Sequence, residues 1–307
     1  MARLINLGNT CAINSTIQSI HACNISIDTF DKPPPNSFAK SLFDLLHIVR
    51  INHNKIVKPT NFIKKLYCTF SNFPEHQQLD AQELWTYISN QVFKDTAITV
   101  NLSKTFTNHI HRQAFNETNK HNYNLTSHWN DIFQGTIINI SICNECGHKS
   151  YVFEPFFSLS MNNQMNTVDM FKEFFKTDIT QCIHCDNCKK ETKRERMTKF
   201  YKLPQFLVIS INRYNNLGQK VSSPIDINQS IKLSNFALIY NKNNISLDLI
   251  SCVNHYGDVN SGHYTCFNFV DKKIIDDTTN IDIDNTSKIL KQNRQAYIVF
   301  YKVNINT

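Results

Sequence analysis

The chain is short of glycine, with 6 glycines in 307 residues, while asparagine, isoleucine and lysine are abundant. We attribute this to a nucleotide bias of the coding genome and not to function. No apolar run approaches the roughly 20 residues of a membrane-spanning helix. The first twenty residues lack a basic segment followed by an apolar one, so no signal peptide is predicted. We therefore expect an intracellular protein, in the cytoplasm or nucleus, without a membrane partner.

The chain also lacks internal repeats and any linker rich in proline, glycine or serine, which predicts one integrated domain, 1–307. Helical periodicity comes first and strand-like alternation later, which favours an α+β fold over a βαβ repeat. Helices are predicted over 11–22, 38–51, 59–68, 80–93 and 167–175. Strands are predicted over 135–143, 150–160, 196–203, 206–211, 247–255, 263–270 and 296–303.

The formal net charge is +7, but the basic residues are scattered. The densest basic run, 189–196, is interleaved with Glu191 and Glu195, which is typical of a solvated face. A zinc-dependent nucleic-acid binder is therefore a minor hypothesis, and we expect no nucleic-acid partner.

Half of the ten cysteines fall within one short region and form Cys-x-x-Cys pairs: Cys143, Cys146, Cys182, Cys185 and Cys188. A reducing compartment makes clustered cysteines metal ligands more often than disulfides. Two such pairs can supply four thiolates to a structural Zn²⁺ at about 2.3 Å. Five cysteines compete for four places, so Cys182 and His184 are either spare or alternative ligands. Reduced thiols without metal are the competing interpretation.

Cys11 follows a Gly8-Asn9 turn and opens the predicted helix 11–22. A thiol at a helix N-terminus feels the positive end of the dipole, which favours the nucleophilic thiolate. The competing interpretation of a lone cysteine is a small buried hydrophobe. The choice depends on whether a base, an orienting acid and an oxyanion donor occur elsewhere in the chain.

His263 is the candidate base, because a glycine-bearing loop leads directly into the strand that it begins. Gly262 is expected to leave open space beside the imidazole, where a substrate backbone could approach closely. The competing interpretation is a surface or core histidine. His255 lies in the same region but lacks an adjacent glycine.

The orienting acid is Asp276 or Asp277. A hairpin that turns near 271–272 places Asp276 on the same sheet face as His263 and Asp277 on the other face. This register puts Asp276 opposite Phe267, about 13 Å along the strand from His263. Contact between the two side chains therefore requires a bulge, or a turn shifted towards 269–270.

Together these segments resemble the ubiquitin-specific protease family of cysteine deubiquitinases. The family's boxes match Gly-Asn-Thr-Cys-Ala-Ile-Asn-Ser at 8–15, Gln-Gln-Leu-Asp-Ala-Gln-Glu-Leu at 77–84, and 256–264 followed by two aspartates. Further matches lie at 133–135, 203–207, 213–214 and 296–301. The matches run in family order over almost the whole chain.

The resemblance implies a role for each site residue. Cys11 would attack the carbonyl of ubiquitin's terminal glycine, with His263 as base and later acid. Asp276 would orient His263, and Asn6 would serve in the oxyanion hole. Asp80 would hold the basic tail of ubiquitin, although its position also suits a helix N-cap.

The resemblance also implies a papain-like hand, with a helical thumb (about 1–130), zinc-bearing β fingers (131–205) and an antiparallel palm (206–307). The family's spacing to Pro204 selects Cys185 and Cys188 as the second pair of zinc ligands. The implied ligand set is therefore Cys143, Cys146, Cys185 and Cys188. Ubiquitin and ubiquitinated proteins are the implied partners of a monomeric enzyme.

The chain departs from the family pattern at Ala12, Leu84 and Lys272, where the family has aromatic residues, and in a short His–Asp hairpin. Three hypotheses follow. The leading one is a thiol-dependent ubiquitinyl hydrolase that cleaves after the C-terminal glycine of ubiquitin. The alternatives are a catalytically weak or inactive ubiquitin-binding module and a protease for another ubiquitin-like modifier.

Overall fold

The computed structural model describes residues 1–27, 33–75, 77–215, 217–233, 245–258 and 261–305, without the side chain of Cys182. The helices are α1 (Cys11–Ala22), α2 (Phe38–Ile51), α3 (Thr60–Thr69), α4 (Ala81–Thr96), α5 (His109–His121), α6 (His128–Phe133), α7 (Thr167–Phe174) and α8 (Thr286–Leu290). The predicted helices are confirmed to within three residues, whereas α5 was not predicted as a defined helix. No helix in these described ranges is long and apolar enough to cross a membrane.

The strands of the first half of the chain are β1 (Arg3–Leu4), β2 (Ile56–Val57), β3 (Ile98–Thr99), β4 (Leu125–Thr126), β5 (Gly135–Cys143), β6 (Lys149–Phe156), β7 (Leu159–Asn162) and β8 (Asp178–Cys185). Those of the second half are β9 (Lys190–Lys202), β10 (Phe206–Asn212), β11 (Ser230–Lys232), β12 (Ile245–Gly257), β13 (Gly262–Asn268), β14 (Lys273–Asp276), β15 (Thr279–Asp282) and β16 (Ala296–Ile305). Helices thus precede mainly antiparallel strands, and the α+β prediction is confirmed.

Most of the strands belong to two large sheets. The eight-stranded sheet has the order β15-β14-β13-β12-β16-β10-β7, with β11 also paired to β12. The four-stranded sheet has the order β6-β5-β9-β8 and consists of antiparallel pairs. The predicted single strand over 150–160 is wrong, because Phe157 and Ser158 separate β6 in the smaller sheet from β7 in the larger one.

Helix α1 lies inside the protein, with eleven of its twelve residues buried. It packs against β13 on one side and against α2 and α4 on the other. Trp85 of α4 joins this core, with its ring edge-on to Phe133 at 5.1 Å and to Phe300 of β16 at 5.2 Å. These buried aromatic contacts pack the helical layer against the eight-stranded sheet.

The hairpin of β13 and β14 pairs Cys266 with Ile275 and Phe267 with Ile274. The predicted register, with Asp276 opposite Phe267, is therefore wrong. The turn occupies 269–272, one residue earlier than predicted, and Lys272 takes a left-handed conformation there (φ 52°). The shift carries Asp276 two residues closer to His263 and keeps both side chains on one face of the sheet.

Candidate active site

Cys11 is the first residue of α1 and is only 3% exposed. The side chain of Asn6 organises the turn before it, since Asn6 Oδ1 accepts hydrogen bonds from Gly8 N (3.1 Å) and Thr10 N (3.0 Å). Thr10 precedes the helix but makes no side-chain cap bond to its first turn. The amide groups of that turn therefore present the positive end of the helix dipole beside the thiol.

His263 and Asp276 form a direct pair, with His263 Nε2 lying 2.6 Å from Asp276 Oδ1. Both side chains are about two-fifths exposed, at 42% and 41%. His263 is the second residue of β13, and Asp276 is the last residue of β14. Because Asp276 occupies Nε2, Nδ1 is the ring nitrogen left for proton transfer.

Asp277 lies in the two-residue turn between β14 and β15 and has φ 45°. Its Oδ2 accepts a hydrogen bond from Asn6 Nδ2 (2.9 Å), and its Oδ1 accepts one from Asn14 Nδ2 (2.7 Å). The expectation that Asp277 points to the opposite face is wrong. Because the residue belongs to the turn, strand alternation does not apply, and its carboxylate lies within 4.8 Å of the His263 and Asp276 ligand atoms.

Gln78 joins the nucleophile to the His263 strand and was missed by the sequence analysis. Its Nε2 donates to Gly262 O at 2.5 Å and lies 3.5 Å from Cys11 Sγ, while its Oε1 accepts from Gly262 N at 2.8 Å. Within the described part of the chain, Cys11 Sγ bonds to Gln78 and not to His263. The only available signal was the position of Gln78, two residues before Asp80 in the segment 77–84.

Gly262 does not border open space, so that expectation is wrong. A Cβ built on Gly262 would lie 2.2 Å from His255 Nε2 and 2.5 Å from Tyr256 O. The ring of His255 is buried, stacks on Tyr264 at 4.5 Å, and places Nδ1 3.2 Å from the Tyr214 hydroxyl. A side chain at position 262 would therefore displace His255.

Burial, aided by the charge of Lys220, lowers the pKa of His255 to about 4. His255 is thus neutral near pH 7 and supports the β12–β13 junction from inside the protein. His263, which is more exposed and paired with a carboxylate, is the histidine placed for acid–base work.

Asp80 is the N-cap of α4. Its Oδ1 accepts from Gln82 N (2.8 Å) and Glu83 N (3.0 Å), which confirms the capping interpretation. Its Oδ2 accepts from the hydroxyl of Tyr297 at 2.5 Å. Burial raises the pKa of Tyr297 well above its ordinary value, so this hydroxyl remains a donor to Asp80.

The four cysteines Cys143, Cys146, Cys185 and Cys188 form a compact cluster at the end of the four-stranded sheet. The sulfur atoms of Cys143 and Cys188 are 3.8 Å apart, those of Cys146 and Cys185 are 3.7 Å apart, and all four lie within 4.8 Å of one another. A tetrahedral Zn²⁺ with bonds of about 2.3 Å requires sulfur separations of about 3.8 Å. The four cysteines therefore fit a structural zinc ion, which they would coordinate without an open position.

Two similar turns shape this cluster. Gly147 (φ 68°) donates its amide to Cys143 O at 2.9 Å, and Lys189 (φ 56°) donates its amide to Cys185 O at 2.7 Å. Thr192 Oγ1 lies 3.4 Å from Cys143 Sγ, and this contact, together with the backbone amides of Cys146 and Glu145, lowers the pKa of Cys143 to about 6. The neighbouring sulfur of Cys146 raises the pKa of Cys188. The two turns gather the four sulfur atoms, and metal binding requires their thiolate form.

His184 lies outside the cluster, with Nδ1 4.0 Å from Glu191 Oε1. The side chain of Cys182 lies outside the described residues. Among the described side chains, therefore, the four cysteines of the two adjacent turns are the ones gathered into the cluster.

Comparison with known proteins gives a consistent result. The sequence profile described as "Ubiquitin carboxyl-terminal hydrolase" matches residues 2–301. Ubiquitin carboxyl-terminal hydrolase 12 of Salmo salar is 26% identical over 97% of this chain and 88% of its own length. Probable ubiquitin carboxyl-terminal hydrolase 4 of Schizosaccharomyces pombe is 24% identical over 97% of this chain, which spans only 58% of that protein.

Solved structures match the fold over the whole chain. The SAGA Ubp8/Sgf11/Sus1/Sgf73 DUB module bound to ubiquitin aldehyde contains a chain with a TM-score of 0.74 and 22% identity, of which 70% is covered. A form of the module bound to monoubiquitin gives a TM-score of 0.71 at 23% identity, again with 100% of this chain and 70% of the other covered. At this level of identity, the likeness shows the arrangement of helices and sheets.

Proposed function

Because this chain belongs to the ubiquitin carboxyl-terminal hydrolase family, whose members are cysteine-type deubiquitinases, we propose that it cleaves ubiquitin conjugates with Cys11 as nucleophile. His263 is the general base and Asp276 orients it. The hydrogen bond of 2.6 Å between His263 Nε2 and Asp276 Oδ1 is the observation that carries this assignment, because it leaves Nδ1 as the basic nitrogen.

In the first step, Cys11 Sγ attacks the carbonyl carbon of ubiquitin's C-terminal glycine while His263 Nδ1 takes the thiol proton. The tetrahedral intermediate collapses as His263 returns that proton to the leaving amine, which breaks the amide bond and leaves a thioester. A water molecule, deprotonated by His263, then attacks the thioester carbonyl. The C–S bond breaks, the C-terminal carboxyl group of ubiquitin is released, and the proton returns from His263 to Cys11 Sγ. Asp276 stabilises the imidazolium that forms in each step.

We assign Asn6 to the oxyanion hole together with the backbone amide of Cys11. Asn6 Oδ1 accepts hydrogen bonds from the amides of Gly8 and Thr10, which fixes the orientation of its carboxamide. One Nδ2 hydrogen goes to Asp277, and the second is available for the developing oxyanion. Asp277 thus acts on the reaction as a positioning residue.

Ubiquitin is the proposed substrate, since the structural relatives include modules bound to ubiquitin aldehyde and to monoubiquitin. Asp80 is proposed to hold the basic part of the ubiquitin tail, with Tyr297 fixing the direction of its carboxylate. Gly262 is proposed to lie against the tail as a backbone contact. Its missing side chain serves the packing of His255, and only its peptide group is offered to the substrate.

We propose one catalytic domain over 1–307, with the thumb at about 1–130, the fingers at 131–205 and the palm at 206–307. Strand β7 lies within the finger range but pairs with β10 of the larger sheet. A structural zinc held by Cys143, Cys146, Cys185 and Cys188 would keep the finger hairpins together for the grip on ubiquitin. We further propose an intracellular monomer without nucleic-acid or membrane partners.

The test is reaction of the zinc-loaded protein with ubiquitin carrying an electrophilic C-terminus. We expect one covalent adduct, located at Cys11 by peptide mass spectrometry, and no adduct in Cys11→Ala. Cys68 is an exposed free cysteine and serves as an internal control that should stay unmodified. Absence of the Cys11 adduct in folded protein would refute the proposed activity.

Measurements of turnover distinguish the proposed hydrolase from an inactive ubiquitin-binding module and from a protease for another modifier. Tight ubiquitin binding with turnover no faster than that of Cys11→Ala would identify an inactive binding module. Comparison of fluorogenic conjugates of ubiquitin and of ubiquitin-like modifiers would identify a protease for another modifier. We expect the ubiquitin conjugate to be cleaved fastest, and Asp276→Asn to lower kcat by about 10²-fold or more.

A further inference from the structure

We propose that Gln78 is an autoinhibitory latch that closes the active-site cleft, here the gap between Cys11 on the helical side and Gly262 on the sheet side, until the substrate tail displaces it. The inference rests on the proposed function, since it concerns access to Cys11. Gln78 belongs to the segment between α3 and α4, on the helical side of the cleft. Gly262 begins β13 on the sheet side. The Gln78 carboxamide therefore reaches across the cleft from one wall to the other.

The contact with Gly262 has the pattern of a β-bridge. Gln78 Nε2 donates to Gly262 O (2.5 Å) and Gln78 Oε1 accepts from Gly262 N (2.8 Å). In an antiparallel sheet, a residue of a neighbouring strand makes the same exchange of two hydrogen bonds. The Gln78 side chain thus imitates one residue of a peptide lying alongside Gly262.

At Gly262 the edge of β13 offers its backbone N–H and C=O groups to a side chain, that of Gln78. Strand β14 pairs with β13 only from Cys266 onward, so the hairpin partner does not cover Gly262. An extended segment can add to an unpaired strand edge through its backbone N–H and C=O groups. A tail laid along this edge would need the two backbone groups that Gln78 now occupies.

The same carboxamide also covers the nucleophile, because Gln78 Nε2 lies 3.5 Å from Cys11 Sγ. One nitrogen is thus within hydrogen-bond reach of both the thiol and Gly262 O. A tail that takes the Gly262 groups must push this nitrogen off the thiol. Binding of the tail and uncovering of Cys11 are therefore a single event.

The latch has a measurable cost for binding. If the closed form predominates in the free protein, the apparent affinity for the tail is reduced by the fraction of open molecules. Removing the latch should then strengthen binding. A supporting role for Gln78 in the active conformation predicts the opposite sign, so the two roles are distinguishable.

The first experiment uses no ubiquitin. It compares the rate at which iodoacetamide alkylates Cys11 in the wild type and in Gln78→Ala between about pH 5 and pH 10. Peptide mass spectrometry distinguishes Cys11 from the other cysteines. We expect the plateau rate at high pH to rise about three- to tenfold, because the thiol is uncovered. An unchanged or lower plateau rate would overturn the proposal.

The second experiment measures kinetics on a ubiquitin–fluorophore conjugate. We expect Gln78→Ala to lower KM by about three- to tenfold with a smaller change in kcat. A raised KM would overturn the latch. Gln78→Asn, whose side chain is too short to span the cleft, should resemble the alanine variant.

Gln77→Ala is the matched control, since Gln77 is the exposed neighbouring glutamine. It should match wild type in both experiments, and an effect equal to that of Gln78→Ala would overturn the assignment to Gln78. A raised alkylation plateau without turnover of any conjugate would support the latch and refute the proposed activity. The two ideas can therefore fail separately.

Discussion

Asp277 Oδ1 accepts a hydrogen bond of 2.7 Å from Asn14 Nδ2, one turn after Cys11 on the same helix. The other carboxylate oxygen of Asp277 holds Asn6, which precedes the nucleophile. One side chain in the β14–β15 turn therefore fixes both the helix and the loop that flank Cys11. The carboxylate suits this position because it accepts hydrogen bonds at both oxygens.

Asp277→Asn tests this clamp. Asparagine tolerates the left-handed backbone of the turn. Its side-chain NH2 group, however, would point at the NH2 group of either Asn6 or Asn14, so one of the two hydrogen bonds would be lost. We expect kcat to fall by about 10- to 100-fold, as expected for a misplaced oxyanion donor, with little change in KM. Steady-state kinetics on a ubiquitin–fluorophore conjugate measure this. The control is Asp282→Asn at the exposed end of β15, and equal loss in both variants would contradict the clamp.

Removing one cysteine of the cluster should abolish zinc binding and destabilise the fingers, although no catalytic residue is changed. We expect one equivalent of zinc in the wild type and none in Cys185→Ser, with a thermal midpoint about 5–10 °C lower. A colorimetric zinc assay and thermal unfolding measure the two effects. Cys68→Ser removes an exposed cysteine outside the cluster and should retain the metal. Stable, fully active protein after complete chelation would contradict a structural role.

Acid should destabilise the protein through His255. Burial lowers its pKa to about 4, against about 6.5 in an unfolded chain. Between these values the unfolded state binds more protons, so this contribution is fully present above pH 6.5 and is lost as the pH falls towards 4. From pH 7.5 to pH 5 the loss is about 2 kcal/mol.

Urea unfolding at the two pH values measures this loss. His255→Gln removes the titrating group, so its free energy of unfolding should fall less between pH 7.5 and pH 5 than that of the wild type. The variant will be less stable at pH 7.5, since it loses the stacking on Tyr264 and the contact with Tyr214. An identical pH dependence in both proteins would show that other groups dominate.

Gly262→Ala should damage the site by overpacking. The new methyl group would collide with His255 Nε2 and Tyr256 O, at a cost of about 1–3 kcal/mol. We expect reduced stability in urea and a fall in kcat/KM for the ubiquitin–fluorophore conjugate. Gly218→Ala provides the comparison, because a Cβ there meets no atom within 4 Å, although φ is +73°. Activity should remain close to wild type in that variant.

The sequence predicted the elements with strong periodicity and the residues that lie in local motifs. Helix α1 and strand β5 have the predicted bounds, and His263 and Asp276 lie on the same face of the sheet, as predicted. The polar helix α5 was missed because its apolar periodicity is weak. The break between β6 and β7 was missed because Phe157 and Ser158 continue the strand pattern.

The remaining features of the site depend on contacts between distant segments. The position of Asp276 required the true turn of the hairpin, which differs from the predicted turn by one residue. Gln78 meets Gly262 across a sequence separation of 184 residues, and composition carries no signal for such a meeting. The packing of His255 against Gly262 likewise follows from the tertiary structure.

The clamp between Asn6 and Asp277 spans 271 residues of sequence. This separation determines when, during synthesis of the chain, the active site can form. During synthesis, Cys11 emerges long before the strand that will carry His263 and the turn that will hold Asn6. Contacts this far apart form late in folding, because closing the chain costs entropy before the contact repays it. Nascent chains therefore carry a thiol without its base, and catalytic competence arises only after the turn that carries Asp277 has been synthesised.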